Sequence, residues 1–291
     1  MPAITGKTKL LGVIGHPIEH SLSPVMHNAA IGNLGMDYIY IPLAVEPENL
    51  KLALEGFVSI GLKGFNVTIP YKESIIPLLS EISPIAKAVG AVNTVWRTEN
   101  GWSGTNTDVA GFLSPLQYSR INWSQSLAIV LGNGGGARAV VAGLTQLGCS
   151  EIHIFGRNQE HLQAFHKSWE NSRLPLNLSI HSYAELPQII SKAAIIVNTT
   201  PIGMYPYVDD CPISMEVMEK IREGTIVYDL IYTPNPTKFL HIARSRGAIG
   251  IDGLEMLVQQ GAAALKIWLQ HPVPVDVMRN ALRYHLGLPV W

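Results

Sequence analysis

The sequence predicts an α/β fold in two domains, and three observations predict it. Short apolar runs rich in β-branched residues alternate with amphipathic stretches of helical period, the pattern of strand–helix–strand units on mostly parallel sheets. The alternation lapses once, between Asp108 and Ser126, where SPLQYSRINWSQS loses its period before a new buried run, LAIVLG. That run opens into a glycine cluster and then a helix. A chain of 291 residues has room for two such domains.

The elements follow in order. Lys9–Ile14 is a strand, and Gly15 starts the loop at its carboxyl end. Pro24 suits the first turn of a helix, with Ser23 expected as its N-cap. Strands at Tyr38–Leu43 and Gly64–Val67 flank an amphipathic helix over Glu48–Ile60. These elements define an expected first domain, residues 1–112. The second, 113–256, holds strands Leu127–Leu131, Glu151–Phe155, Ala194–Asn198, Thr225–Leu230 and Ala248–Asp252. Its helices are Gly135–Leu147, closed by Gly148, and Pro236–Arg246. Leu254–Gln270 and Val275–Leu286 are helical and separated by Pro-Val-Pro. Their placement is open on pattern alone.

Composition narrows the function. With 47% hydrophobic and 15% charged residues the chain can bury a core. Its 21 basic and 22 acidic residues leave a net charge of −1, without a basic run, so nucleic acid is not an expected partner. No stretch reaches the ~20 apolar residues that span a bilayer. The N-terminal apolar stretch lacks the form of a secretory signal, and Cys149 and Cys211 make neither a disulfide framework nor a CxxC motif. A cytoplasmic protein is expected. No interface for a second copy is legible, so a homodimer stays open.

The glycine cluster carries the first functional signal. In LAIVLGNGGGARAV, Gly132 and Gly134 allow a tight turn and close approach of a pyrophosphate. Gly135 and Gly136 add room, and Ala137 stands at the third position of the fingerprint. The following helix presents free N–H groups and the positive end of its dipole. Strand, loop and helix in that order mark a Rossmann-type dinucleotide-binding domain. The next strand ends Phe155-Gly156-Arg157-Asn158, with no acid to hold a ribose 2′-hydroxyl. Arg157 offers a planar cation for a 2′-phosphate, so NADP is favoured over NAD.

The first half carries polar side chains at strand ends, where open α/β sheets build their sites. GFNVTIPYK places Asn66 and Thr68 two apart, then Lys72. GAVNT presents Asn93, and GTNTDVAG presents Asn106, Thr107 and Asp108. This set suits a small polyhydroxylated substrate and one proton transfer, with Lys72 beside a carboxylate. In GHPIEHSLSPVMHN, Ser21 and Ser23 lie two apart next to a helix start, a receptor for a carboxylate. His16, His20 and His27 lack the spacing of metal ligands, so no metal is expected.

These motifs together resemble the shikimate dehydrogenases. GHPIEHSLSPVMHN, NVTIPYK, GAVNT, GTNTDVAG, GNGGGA, NTTPIGM, YDLIYTP and DGLEMLVQQGA follow in order along nearly the whole chain. The resemblance implies NADPH-dependent, reversible reduction of 3-dehydroshikimate to shikimate, towards chorismate and the aromatic amino acids. It implies Ser21 and Ser23 on the substrate carboxylate, with Tyr232 on the same side. Asn66, Thr68, Asn93, Asp108 and Gln260 would hold or orient the ring, and Lys72, paired with Asp108, would be the acid/base. Gly132, Gly134, Gly135, Gly136 and Ala137 would hold the cofactor phosphates. Thr200, Met204, Ile231 and Gly253 would complete the cofactor site. It further implies an N-terminal substrate domain on which the closing segment 257–291 packs back, and a C-terminal NADP domain. One departure stands out: Gly156-Arg157-Asn158 replaces the family's frequent Asn-Arg-Thr, which predicts a looser hold on the 2′-phosphate. Quinate/shikimate dehydrogenases using NAD or NADP share much of the pattern. A regulator sensing nucleotide or shikimate is the non-enzymatic alternative.

Overall fold

The computed structural model describes residues 3–117, 119–170, 172 and 174–290. Residues 1, 2 and 291 of the expected domains, and Tyr118 of the expected boundary segment, lie outside them. Contacts divide the chain into two units, Met1–Gly111 with Leu257–Trp291, and Phe112–Met256.

The first unit contains β1 (Lys9–Gly15), α1 (Ser23–Asn33), β2 (Tyr38–Ala44), α2 (Leu50–Ser59), β3 (Gly64–Val67) and α3 (Tyr71–Ser74). Then come β4 (Glu81–Ile82), α4 (Pro84–Val89), β5 (Thr94–Thr98), β6 (Gly101–Thr105) and α5 (Asp108–Leu113), the last crossing the boundary. The sheet order is β2-β1-β3-β5-β6-β4. β1 pairs parallel with β2 and β3, whereas β5 runs antiparallel to β3 and β6, so this sheet is mixed. β1 is buried from Leu11 onward, as a strand covered on both faces must be. Ser23, Met26, His27, Ala30 and Ile31 form the buried stripe of α1, spaced at helical period. Ser23 is not the N-cap of this helix: Leu22 holds that place and no side chain caps it, because the Pro24 ring already fixes the first turn.

The second unit contains β7 (Leu127–Leu131), α6 (Gly135–Gln146), β8 (Glu151–Gly156), α7 (Gln159–Lys167), β9 (Leu178–Ser182), α8 (Leu186–Ile189) and β10 (Ala193–Asn198). It continues through α9 (Met215–Met218), β11 (Ile226–Asp229), α10 (Lys238–Ser245) and β12 (Ile249–Ile251). All its strands are parallel, in the order β12-β11-β10-β7-β8-β9. Counted from β7 this is the 3-2-1-4-5-6 order of a dinucleotide-binding sheet. Its core joins Ile129, Leu131, Phe155, Ile196, Val227, Phe239 and Leu240. α11 (Leu254–Leu269) and α12 (Val275–His285) close the chain, and α12 packs on α1 in the first unit. Among the described residues no helix is long and apolar enough to cross a membrane.

Candidate active site

Topology decides which loops meet in the first unit. β1 is extended on one side by β2 and on the other by β3, so the switch point lies between the carboxyl ends of β1 and β3. The backbone is stitched there: Thr68 N–H donates to the Ile14 carbonyl and His16 N–H to the Ile69 carbonyl, each at 3.0 Å. The loop carrying Ser21 and Ser23 therefore starts beside the one carrying Thr68 and Lys72.

Lys72 sits in the single turn of α3, which starts after Pro70. Its neighbour Tyr71 is 1% exposed, and the Tyr71 hydroxyl donates to the Val45 carbonyl, which anchors the turn. Lys72 Nζ then meets Asp108 Oδ2 at 2.6 Å, with side-chain exposures of 18% and 8%, so the pair is largely shielded from water. Asp108 begins α5, whose first N–H groups are capped by Asn106 Oδ1 at 3.0 Å (Asp108) and 3.4 Å (Val109).

From this pair a polar network runs back through the sheet. Asn93 Nδ2 donates to Asp108 Oδ1 at 2.7 Å and to Thr107 Oγ1 at 2.9 Å, and lies 3.3 Å from Gln260 Oε1. Asn93 Oδ1 accepts from Thr107 N–H at 2.8 Å and from the Thr94 hydroxyl at 3.0 Å. Asn66 Nδ2 donates to the Asn93 carbonyl at 3.0 Å and to Thr94 Oγ1 at 3.1 Å. The Tyr40 hydroxyl donates to Asn66 Oδ1 at 2.7 Å, and the Ser23 side chain is near enough to act on it. Burial holds the Tyr40 phenol well above its ordinary titration range, so it stays a neutral donor.

Asn66, Asn93, Asp108, Lys72 and Gln260 thus belong to one connected set, with Ser23 beside Tyr40 at its edge. Ser21 Oγ lies 3.4 Å from the Ser23 N–H, half-exposed at the helix entrance. Thr68 stands at the end of β3, its methyl beside Gly15, where an added Cβ would come within 2.6 Å. Asn106 and Thr107, which GTNTDVAG presented with Asp108, join the network, and Tyr40 and Thr94 are members of it that the sequence did not mark as site residues. Their signal was burial of a polar atom, which alternation alone does not reveal.

His27 lies under this network and is fully buried. Its ring stacks on Tyr40 at 4.1 Å and tilts against Trp268 at 5.7 Å. Neither ring nitrogen has a hydrogen-bond partner among the described residues, and burial pushes its pKa down to about 3. It is a neutral packing residue. Among the described residues no group of three or more His, Cys, Asp or Glu side chains is arranged to hold a metal ion.

In the second unit the switch point lies between β7 and β10. Gly132 follows β7 with φ +100°, a conformation that L side chains rarely adopt, and a Cβ there would come 2.7 Å from Thr199 Oγ1. Gly134 precedes α6, and a Cβ on it would meet open space. No side chain caps α6, so the N–H groups of Gly135, Gly136 and Ala137 are left for an anion. This is a cradle that fits a dinucleotide's phosphates. Arg157 is exposed just past β8, and Tyr183 lies within range of its charge.

The remaining expected cofactor residues lie on loops after β10, β11 and β12. The Thr200 hydroxyl is held by Asn198 Oδ1 at 2.7 Å, and Met204 is 38% exposed. Ile231 is buried and Tyr232 half-buried. Gly253 abuts the Leu230 carbonyl so closely that any side chain would collide with it. Leu230 itself carries no signal in the sequence. Its Cδ1 lies 3.6 Å from where a Cβ on Gly136 would stand, which brings the end of β11 to the glycine loop.

Comparison with known proteins agrees with this geometry. A family described as shikimate dehydrogenase substrate binding domain matches residues 13–95. One described as shikimate/quinate 5-dehydrogenase matches 116–230, and the shikimate 5′-dehydrogenase C-terminal domain matches 253–283. A shikimate dehydrogenase (NADP(+)) of a Nostoc species is 62% identical over 288 residues, covering 98% of this chain and 99% of its own. The crystal structure of shikimate dehydrogenase from Aquifex aeolicus superposes with a TM-score of 0.86 at 37% identity, over 97% of this chain and all of that one. The Thermus thermophilus enzyme, solved with NADP(H) and shikimate, gives 0.82 at 32% identity, over 95% of this chain and 99% of that one. On its glycine cradle, its Lys72–Asp108 network and this likeness along almost its whole length, the chain belongs to the shikimate dehydrogenase family.

Proposed function

We propose that this protein is an NADP-dependent shikimate dehydrogenase, reducing 3-dehydroshikimate to shikimate reversibly on the route to chorismate. The observation that carries the reading is the shielded Lys72–Asp108 pair, joined through Asn93 and Asn66 to Tyr40, which lies beside Ser23. A carbonyl reduction needs a donor for the alkoxide that forms, and an ammonium held 2.6 Å from a carboxylate is oriented for it. When bound, NADPH supplies the hydride that reaches the ketone carbon. Lys72 gives its proton to the carbonyl oxygen and regains one from solvent, while Asp108 keeps it in line. Ser21 and Ser23 receive the substrate carboxylate, with Tyr232 on the same side. Asn66, Thr68, Asn93 and Gln260 hold the ring hydroxyls. The first-turn N–H groups of α6 hold the pyrophosphate, and Arg157 the 2′-phosphate. Met204, Ile231 and Gly253 would lie near the nicotinamide, with Thr200 elsewhere in the cofactor site. Cys149 and Cys211 are both free, which supports action in a reducing cytoplasm.

The test is a matrix of steady-state rates, shikimate and quinate each with NADP and NAD. The highest kcat/KM is expected for shikimate with NADP. Faster turnover of quinate, or preference for NAD, would move the protein to the quinate/shikimate branch. Binding without turnover in all four would make it a sensor.

A further inference from the structure

Two polar side chains stand together where the second sheet ends, and the proton and carboxylate chemistry above uses neither. Asn198 closes β10, Asp229 closes β11, and they are register partners in adjacent parallel strands. Both are fully buried. Asp229 Oδ1 accepts from Asn198 Nδ2 at 3.0 Å and from the Ile231 N–H at 3.1 Å. Asp229 Oδ2 accepts from the Thr237 hydroxyl at 2.7 Å, and Thr237 Oγ1 in turn caps α10 by accepting from the Leu240 N–H. Asn198 reaches the other way. Its Oδ1 accepts from the Thr200 N–H at 3.1 Å and the Thr200 hydroxyl at 2.7 Å, and its Nδ2 also donates to the Ile202 carbonyl at 3.2 Å.

The two strand-end segments also touch. Gly203 has φ +109°, and a Cβ on it would lie 3.4 Å from Ile231 Cδ1 and 3.8 Å from the Thr237 Cβ. Among the described residues no cation pairs with Asp229. Lys238, at the start of α10, donates instead to the Asp209 carbonyl. The titratable group acting on Asp229 is Asp252, while Asp229 and Lys238 both act on the half-buried thiol of Cys211. A carboxylate buried without a countercharge is expensive. Desolvation pushes the Asp229 pKa up to about 6, against the pull of its three hydrogen bonds. A raised carboxylate pKa means that the folded state binds the proton more tightly than the unfolded chain. Ionisation above about pH 6 therefore weighs against the fold. A group kept ionised at neutral pH at the expense of stability points to a role outside folding.

We propose that Asp229 is a positioning residue for hydride transfer: by accepting from Asn198, Ile231 and Thr237 it fixes the segments 199–204 and 230–237, which carry Thr200, Met204 and Ile231. The inference rests on the proposed function, which places Met204 and Ile231 near the nicotinamide and Thr200 in the cofactor site. Protonating Asp229 turns one of three acceptor positions into a donor, so the segments loosen as pH falls through its pKa.

The experiment measures kcat, the KM for NADPH and the melting temperature for the wild type, Asp229→Asn, Thr237→Val and Thr237→Ser. A wild type that does not reduce 3-dehydroshikimate with NADPH overturns the functional reading itself, an outcome distinct from any effect of the variants. With an active wild type, Asp229→Asn and Thr237→Val are expected to lower kcat/KM for NADPH about 10-fold or more, within the ~10²-fold that a 1 Å misplacement can cause. Asp229→Asn is expected to melt no lower than the wild type at neutral pH, and Thr237→Ser to restore activity. The inference fails if both variants stay within twofold of wild type, or if activity falls only as far as the folded fraction does. Should Asp229→Asn not fold, the Thr237 pair decides on the same criteria.

Discussion

At Lys72 the ammonium has one carboxylate at bonding distance and little access to water. Lys72→Ala is expected to lower kcat about 10²–10⁴-fold. Binding of shikimate, followed calorimetrically, should persist, because the bonds of Asn66 to Asn93 and Tyr40 do not involve Lys72. Retained turnover would remove Lys72 from the chemistry. Ser21→Ala makes the opposite kinetic split: the substrate KM should rise more than kcat falls, as for a group that binds ground and transition states alike. His27 bears on stability rather than rate. Its pKa of about 3 when folded lies below the ~6.5 of an exposed imidazole, so the unfolded chain binds the extra proton. Stability from burying it is complete above about pH 6.5 and drains away as pH falls towards 3. Denaturant midpoints across that window should fall less steeply in His27→Phe than in the wild type. An equal slope would mean that His27 is not buried neutral.

Among the elements, those with a clear period were legible. β1, β3 and β7 read directly from LLGVI, GFNV and LAIVL, because a parallel strand covered on both faces is apolar along its length. β9 was missed: LSIHS is half-buried throughout, an edge strand with no face to announce it. The β5–β6 hairpin was missed too, although Asn100-Gly101 at its tip is the dipeptide that favours tight hairpin turns. That hairpin carries Thr94 and places Asn93, so overlooking it hid how GAVNT and GTNTDVAG meet. Lys72, Asp108 and the glycines were legible because their residue types are unusual at strand ends. Tyr40 and Thr94 were not, because in a strand they read as ordinary β-formers. Gly132→Ala tests the β7–α6 turn. It forces an L side chain to φ +100° with a Cβ 2.7 Å from Thr199 Oγ1. The KM for NADPH should rise while shikimate binding stays unchanged; equal changes in both would place the glycine in general folding.

Over the whole molecule, each unit is a separate solution to burying an open sheet, and each puts its polar residues at its own switch point. The proposed cofactor site lies at the second of them. Arg157→Ala should cut kcat/KM with NADP and leave that with NAD nearly unchanged, so their ratio reports directly on the 2′-phosphate contact. The first unit has a further property: its chain is interrupted. Gln260, which reaches Asn93, and Trp268, whose indole donates to the Val95 carbonyl at 2.9 Å, both come after the second unit in sequence. During synthesis on the ribosome, residues 112–256 can fold as soon as they emerge, while the earlier residues wait for the last segment. The unit that carries the proposed Lys72–Asp108 proton transfer is therefore the last to be completed by synthesis, and a nascent chain is expected to hold nucleotide before it turns over substrate.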